Sequence, residues 1–103
     1  MKNKKLNRAT FNDIRDWAKE RKLYKKGDVK TQFIKLQEES GELAKAILNE
    51  NESEIIDSIG DIVVVLTNLS HLAGYKIEDC IDQAYLEIIN RKGKMINGTF
   101  VKN

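Results

Sequence analysis

QFIKLQEESGELAKAIL (residues 32–48) and EIIDSIGDIVVVLTN (residues 54–68) decide the fold of this chain. Advanced at about 100° per residue, Leu36, Leu43 and Ile47 fall on one line with Phe33 beside it, the core-facing stripe of an amphipathic helix. Glu39 flanks that stripe, Glu42 lies a little further round, and Glu38 points away. Gln32 and Lys35 share the flank with Glu39 and Glu42 at the i, i+3 and i, i+4 spacings that bring side chains together. In the second stretch Glu54, Asp57, Ser58 and Asp61 share one side of a helix, and Asn68 continues their line. From Ile59 to Leu69 that helix is apolar nearly all round, which predicts burial. An acid at Asp61, on the edge of such a segment, is costly unless it is paired or holds a metal.

The polar run from Asn49 to Ser53 supplies a turn between the two helices. Glu42 then lies about 10 Å from the turn and Asp61 about 12 Å, so an antiparallel pair sets Glu39 and Glu42 opposite Asp57 and Asp61. Acidic runs on helices are usually solvated faces. Here the acids flank the apolar stripes of both helices at matching height, which favours a cation between them.

Composition narrows the alternatives. A chain of 103 residues makes one domain, read as a basic tail over 1–9 and a helical domain over 10–103. It has no proline, helix formers dominate, and strands are hard to find, so the expected class is all-α: a four-helix bundle-like protomer that oligomerises, with a short irregular or hairpin C-terminal tail. No run of about 18 apolar residues points to a transmembrane helix, and the basic start lacks the apolar region of a secretory signal. Cys80 is the single cysteine, which excludes a disulfide framework and fits a cytoplasmic setting. A net charge of +2, mixed in sign, argues against a stable nucleic-acid partner.

Lys2, Lys4, Lys5 and Arg8 make the basic tail. The first helix starts at Thr10, which can cap with Asp13, and carries the stripe Phe11, Ile14, Trp17, Ala18 and Leu23. Trp17 reads first as core and second as a surface on which a base could stack. The second helix covers about 30–48; the third starts at Ser53 and ends where Gly74 fits a C-cap. His71 reads as a surface or partly packed residue. A fourth helix over about 77–91 has Ile77, Cys80, Ile81, Ala84, Tyr85 and Ile88 as its inner face. Asn97-Gly98 is a turn signal between short apolar pairs.

Only oxygen ligands are on offer in the acidic cluster, which matches hard cations, Mg²⁺ first and Mn²⁺ second. A di-iron bundle would want Glu-x-x-His on two helices, and neither helix here has one. Mg²⁺ on a few carboxylates completes its shell with water and substrate phosphates, so the chemistry that follows is hydrolysis of a phosphate ester or anhydride.

KLQEESGELAKAI followed by EIIDSIGDIVVVLTNL resembles the MazG-type all-α nucleoside triphosphate pyrophosphohydrolases, with EExxE on one helix and ExxD on the next. The ending AYLEIINRKGKMINGTFVK looks like the short single-domain members found in phages and bacteria. The resemblance implies Mg²⁺-dependent cleavage of a (deoxy)nucleoside triphosphate between the α- and β-phosphates, by a homodimer or homotetramer. Position by position it implies Glu39 and Glu42 as metal ligands, Glu38 as base or second-metal ligand, and Asp61 as the aspartate of ExxD. Asn90 and Lys94 match the region that contacts phosphate and sugar, with Arg91 and Lys35 as further candidates. One departure stands out: the glutamate of ExxD falls on Ser58. Asp57, which forms an i, i+4 pair with Asp61, is the expected replacement, with Glu54 about a turn further away. A non-catalytic nucleotide-binding module, or a structural helical module whose acids are surface decoration, are the competing readings.

Overall fold

A computed structural model describes residues 7–103. The basic-tail residues Lys2, Lys4 and Lys5 lie outside the described residues. Five helices come first: α1 (Phe11–Glu20), α2 (Leu23–Lys26), α3 (Val29–Leu48), α4 (Glu52–Leu72) and α5 (Ile77–Ile88). A two-stranded antiparallel hairpin follows, β1 (Gly93–Ile96) and β2 (Thr99–Lys102), in the register Gly93↔Lys102 to Ile96↔Thr99. The mostly helical class is as expected; oligomerisation is a separate question.

Local chemistry sets the boundaries. Thr10 caps α1: its Oγ1 accepts from the Asp13 amide at 3.2 Å, and the Thr10 amide donates to Asp13 Oδ2 at 2.8 Å. The expected first helix is cut short because Lys22 takes a left-handed φ of 63°, which ends α1 and starts the one-turn α2. The Asp28 carboxylate accepts from the Thr31 amide at 2.8 Å and caps α3. At the head of α4 the cap is Asn51, whose Oδ1 accepts from the Glu54 amide, and not Ser53, whose hydroxyl donates to the same oxygen. Gly74, at φ 92°, closes α4: the Tyr75 amide reaches Ser70 O at 2.8 Å and the Gly74 amide reaches His71 O at 3.0 Å, the paired bonds of a Schellman motif. Asn97 and Gly98, both at positive φ, make the two-residue hairpin turn.

The α3–α4 pair is the main packing unit, and α1 lies against α4. On α3 the buried residues are Glu39 and Ala46, with Leu36 and Leu43 half-buried; 36, 39, 43 and 46 form one helical stripe. On α4 the buried residues are Ser58, Val65, Thr67, Asn68 and Ser70. Thr67 and Ser70 donate to the carbonyls of Val63 and Leu66, both at 2.8 Å, which satisfies their hydroxyls within the helix. The inward side of α4 is thus largely polar. This corrects the expectation of burial from Ile59 onward: Ile59 is 51% exposed and Val63 38%, because α3 and α1 cover other sides of the helix and α2 and α5 touch it only briefly. The expected inner face of the last helix is also uncovered, since every residue from Asp79 to Ile88 is exposed.

By length and composition alone, α4, with 21 residues, could cross a bilayer. Four acids between Glu52 and Asp61 would be costly there, and its packing against α3 is that of a bundle helix.

Candidate metal and nucleotide site

Antiparallel packing of α3 and α4 brings Glu39, Asp57 and Asp61 together. Glu39 is 7% exposed. Its Oε2 is 3.5 Å from Lys35 Nζ, one turn back on α3. Its Oε1 is buried without a hydrogen-bond partner. Asp61 is half-buried, and its carboxyl holds its proton to higher pH than usual; burial is the largest cause, and the neighbouring Asp57 and Glu39 carboxylates add to it. A protonated Asp61 can donate to Asp57 or Glu39; with all three carboxyls ionised, the arrangement is repulsive unless a cation enters.

Two openings flank the cluster. One, of about 550 Å³, is lined by Glu42, Lys45, Glu54, Asp57 and Ser58, together with turn residues Asn49 and Asn51. The other, of about 400 Å³, is lined by Asp13, Ile14, Trp17, Asp61 and Val64. Asp57 and Asp61, one turn apart, therefore face different openings while acting on each other. Trp17 is 47% exposed, with the Arg21 guanidinium 4.6 Å from its ring centre.

The structure sorts the sequence-derived candidates. Glu39, Asp57 and Asp61 are neighbours. Glu42 is exposed on the rim beside Asp57, and Glu38 is exposed one position before Glu39. Lys35 adjoins the cluster through Glu39. Asn90, Arg91 and Lys94 are exposed beyond the end of α5 and line neither opening. Among the described residues, no three carboxylates converge as a finished ligand shell. The donor set still fits a hard cation: every ligand is an oxygen, and one buried carboxylate oxygen has nothing to bind.

Two features escaped the sequence. The Tyr24 hydroxyl donates to Asn68 Oδ1 at 2.6 Å, and the His71 ring stacks on Tyr24 at 3.9 Å, which ties α2 to the far end of the polar line. Burial pushes the Tyr24 hydroxyl pKa up. Arg15 binds Glu78 through both its terminal nitrogens, at 2.9 and 2.6 Å, joining α1 to the first turn of α5. Asn68 lay on the acid line and gave a signal; Tyr24 and the Arg15–Glu78 pair lie 44 and 63 positions from their partners and gave none.

Residues 28–96 match the MazG nucleotide pyrophosphohydrolase domain. Among curated proteins, an uncharacterised 18.2 kDa protein from the rep-hol intergenic region of Haemophilus phage HP1 is 41% identical over 58 residues, which cover 56% of this chain and 36% of that relative. The chain thus matches about a third of the relative's length. No solved structure shows significant similarity to the chain.

Proposed function

The chain belongs to the family of MazG nucleotide pyrophosphohydrolase domains, and from that membership we propose that it hydrolyses (deoxy)nucleoside triphosphates to the monophosphate and pyrophosphate. The observation that carries the reading is the buried, unpartnered Oε1 of Glu39 beside an Asp61 already crowded by negative neighbours. Lys35 meets only Oε2, and a cation at Oε1 would relieve the remaining buried oxygen. Glu39, Asp57 and Asp61 would hold Mg²⁺, or Mn²⁺ in its place, with Glu42 at the rim. When bound, the metal supplies charge neutralisation on the phosphates and a lowered pKa for the attacking water.

The protein's own groups do the rest. Lys35, beside Glu39, places a cation next to the phosphates. A cation held there would favour the ionised form of Asp61, against the burial and the two neighbouring carboxylates that raise its pKa. Water adds to the α-phosphorus, the bond to the bridging oxygen breaks, and pyrophosphate leaves. Two exposed carboxylates of α3, Glu38 and Glu42, are candidates to take the proton of that water. The opening beside Asp61 offers the Trp17 ring as a platform for the base.

A second reading rests on Ser58. It is 5% exposed, faces the cluster, and stands where the family glutamate is expected. With Asp57 unable to replace that carboxylate, the protein would bind nucleotides without turning them over. Pyrophosphate and monophosphate release, measured over the common NTPs and dNTPs with Mg²⁺ and with Mn²⁺, decides between the two. Release that disappears in Glu39→Gln supports the enzyme. Saturable binding without release supports the binding module.

A further inference from the structure

A second charged opening lies away from the carboxylates. It is a cleft of about 570 Å³ between α1, α2 and the end of α4. Asn12, Asp16 and Lys19 of α1 line it, whereas Ile14 and Trp17 line the opening beside Asp61. At about 100° per residue those two sets stand on opposite sides of α1. On α4 the cleft is reached by His71, ten positions beyond Asp61 and so about 15 Å further along the helix. The two openings are separate.

The lining is cationic. Lys19 comes from α1, Lys22 from the junction and Lys25 from α2. Among the described residues none of these three lysines pairs with a carboxylate. Arg15 also lines the cleft, but its guanidinium is committed to Glu78. The one carboxylate in the lining is Asp16. The Tyr24 and His71 rings, stacked at 3.9 Å, add a stiff wall, because the Tyr24 hydroxyl is fixed on the buried Asn68.

Helix chemistry accounts for two of the lysines. Lys19 and Lys25 stand in the last turn of a helix, where a cation meets the negative end of the dipole. It does not account for Lys22. That residue sits at φ 63° and ψ 24°, a left-handed conformation strained for lysine and open to glycine. The backbone there would be served better by glycine, so what a lysine contributes comes from its ammonium. Three cations gathered at one opening repel one another, and an anion relieves them. Lysine ammoniums, with three donors each, suit the many oxygens of a phosphate chain. The volume is that of a small-molecule site. A nucleic-acid strand would need the cations continued along the surface; here they meet at one cleft, on a protein of net charge +2. We propose that this cleft is a second anion site, distinct from the carboxylate cluster, which takes the di- or triphosphate chain of a small molecule through Lys19, Lys22 and Lys25.

The proposal goes beyond hydrolysis and does not rest on it, so its test reads binding without turnover. Metal-stripped protein in metal-free buffer should bind inorganic tripolyphosphate and ATP in calorimetry, one per chain. Amide spectra should shift at residues 19–25 and 71 and stay still at 39, 57 and 61. Lys22→Gly relieves the backbone, so it should keep its helical circular dichroism while weakening both ligands by about 5-fold or more. The triple variant K19A/K22G/K25A should abolish binding. Lys102→Ala, an equal loss of charge on the hairpin, should change nothing, and neither should Glu39→Gln. Equal affinities identify the phosphate chain as what is bound; tighter ATP adds a nucleoside contact at the ring wall, and both support the site. Absence of binding at millimolar ligand overturns it. So does binding that survives the triple variant, falls equally in Lys102→Ala, or is lost in Glu39→Gln. Tighter binding of a single-stranded oligonucleotide in competition with ATP overturns it in favour of a nucleic-acid surface.

Discussion

Replacing Glu39 by Gln should make the metal-free protein more stable and the metal-loaded protein less able to respond. In the native chain Glu39 is 7% exposed and its Oε1 has no partner. An unsatisfied buried polar group costs about 1–3 kcal/mol, more when charged. The nearby Asp61 carboxylate, when ionised, adds repulsion. The opposing term is the Lys35 contact at 3.5 Å, an i, i+4 pair with a half-exposed lysine, worth about 0.3–0.5 kcal/mol. Gln removes the charge and gives an amide that can donate to Asp61. The balance favours the variant by about 1–2 kcal/mol, or a rise in melting temperature of roughly 4–15 °C for a domain of this size.

Mg²⁺ should reverse the order. At a free concentration one hundred times Kd, a ligand specific to the folded state adds about 2.7 kcal/mol. The native protein should gain close to that and E39Q much less. Thermal melts of both proteins, at one protein concentration, in chelator and then in saturating Mg²⁺, make four curves. Crossing of the two pairs supports the cluster as a metal site. A less stable E39Q in chelator, or an equal Mg²⁺ shift in both proteins, refutes the reasoning.

Other consequences are simpler. Tyr24→Phe should cost about 1 kcal/mol through loss of the 2.6 Å bond to Asn68; Asn68→Ala should cost more, about 2–3 kcal/mol, because it also opens a gap at a site 2% exposed, and denaturant melts of the double variant should show the two losses to be non-additive. The Arg15 guanidinium holds the Glu78 carboxyl down to about 2 from its ordinary 4.5. That contribution is complete above pH 4.5 and is lost as pH falls toward 2, so Glu78→Gln should flatten the stability profile in that window alone. Asp61 has the opposite sign. Its raised pKa means the folded state binds the proton more tightly, so metal-free stability should fall as pH rises above the ordinary 3.8, and Mg²⁺ affinity measured by calorimetry should rise over the same interval. Ser58→Glu should destabilise the metal-free protein, since it adds a buried charge to an opening already lined by Glu42, Glu54 and Asp57, and should tighten Mg²⁺ binding if the family glutamate's place is a ligand position.

What the sequence made legible follows periodicity. The stripe through Leu36 and Leu43 and the line through Ser58, Asp61 and Asn68 are local patterns, and they placed Glu39 against Asp61 across an antiparallel turn without any long-range information; Phe33 and Ile47, read on the same stripe, are each 53% exposed, and Ala46 takes the buried place instead. The Thr10 cap and the Asn97-Gly98 turn were legible for the same reason. Lys22 was not, because a left-handed lysine breaks a helix that propensity would continue. Periodicity also failed on burial. It identifies an apolar face but not the surface that covers it, so Ile59, Val63 and the whole face of α5 read as core and stand exposed in the protomer.

That failure and the candidate site have one cause. α4 turns Ser58, Asp61, Thr67, Asn68 and Ser70 toward its own neighbours and leaves Ile56, Ile59 and Val63 outside. A helix pair arranged for stability alone would do the reverse, since apolar burial is the dominant favourable term in folding. Ala18, Ala46 and Val65 are the buried apolar residues among those described, a thin core for a chain of this length. Beside half-buried Leu36, Leu43, Ile62, Leu66 and Leu69, the interior here takes in carboxylates, an amide and hydroxyls. Two outside sources of stability would answer this arrangement: the proposed cation at the inner face, and a surface laid over the outer one. Each is testable without the other. The chelator melts read the first and the mass of the protein in solution reads the second. A protein that proved stable as a metal-free monomer would contradict both halves of the argument together.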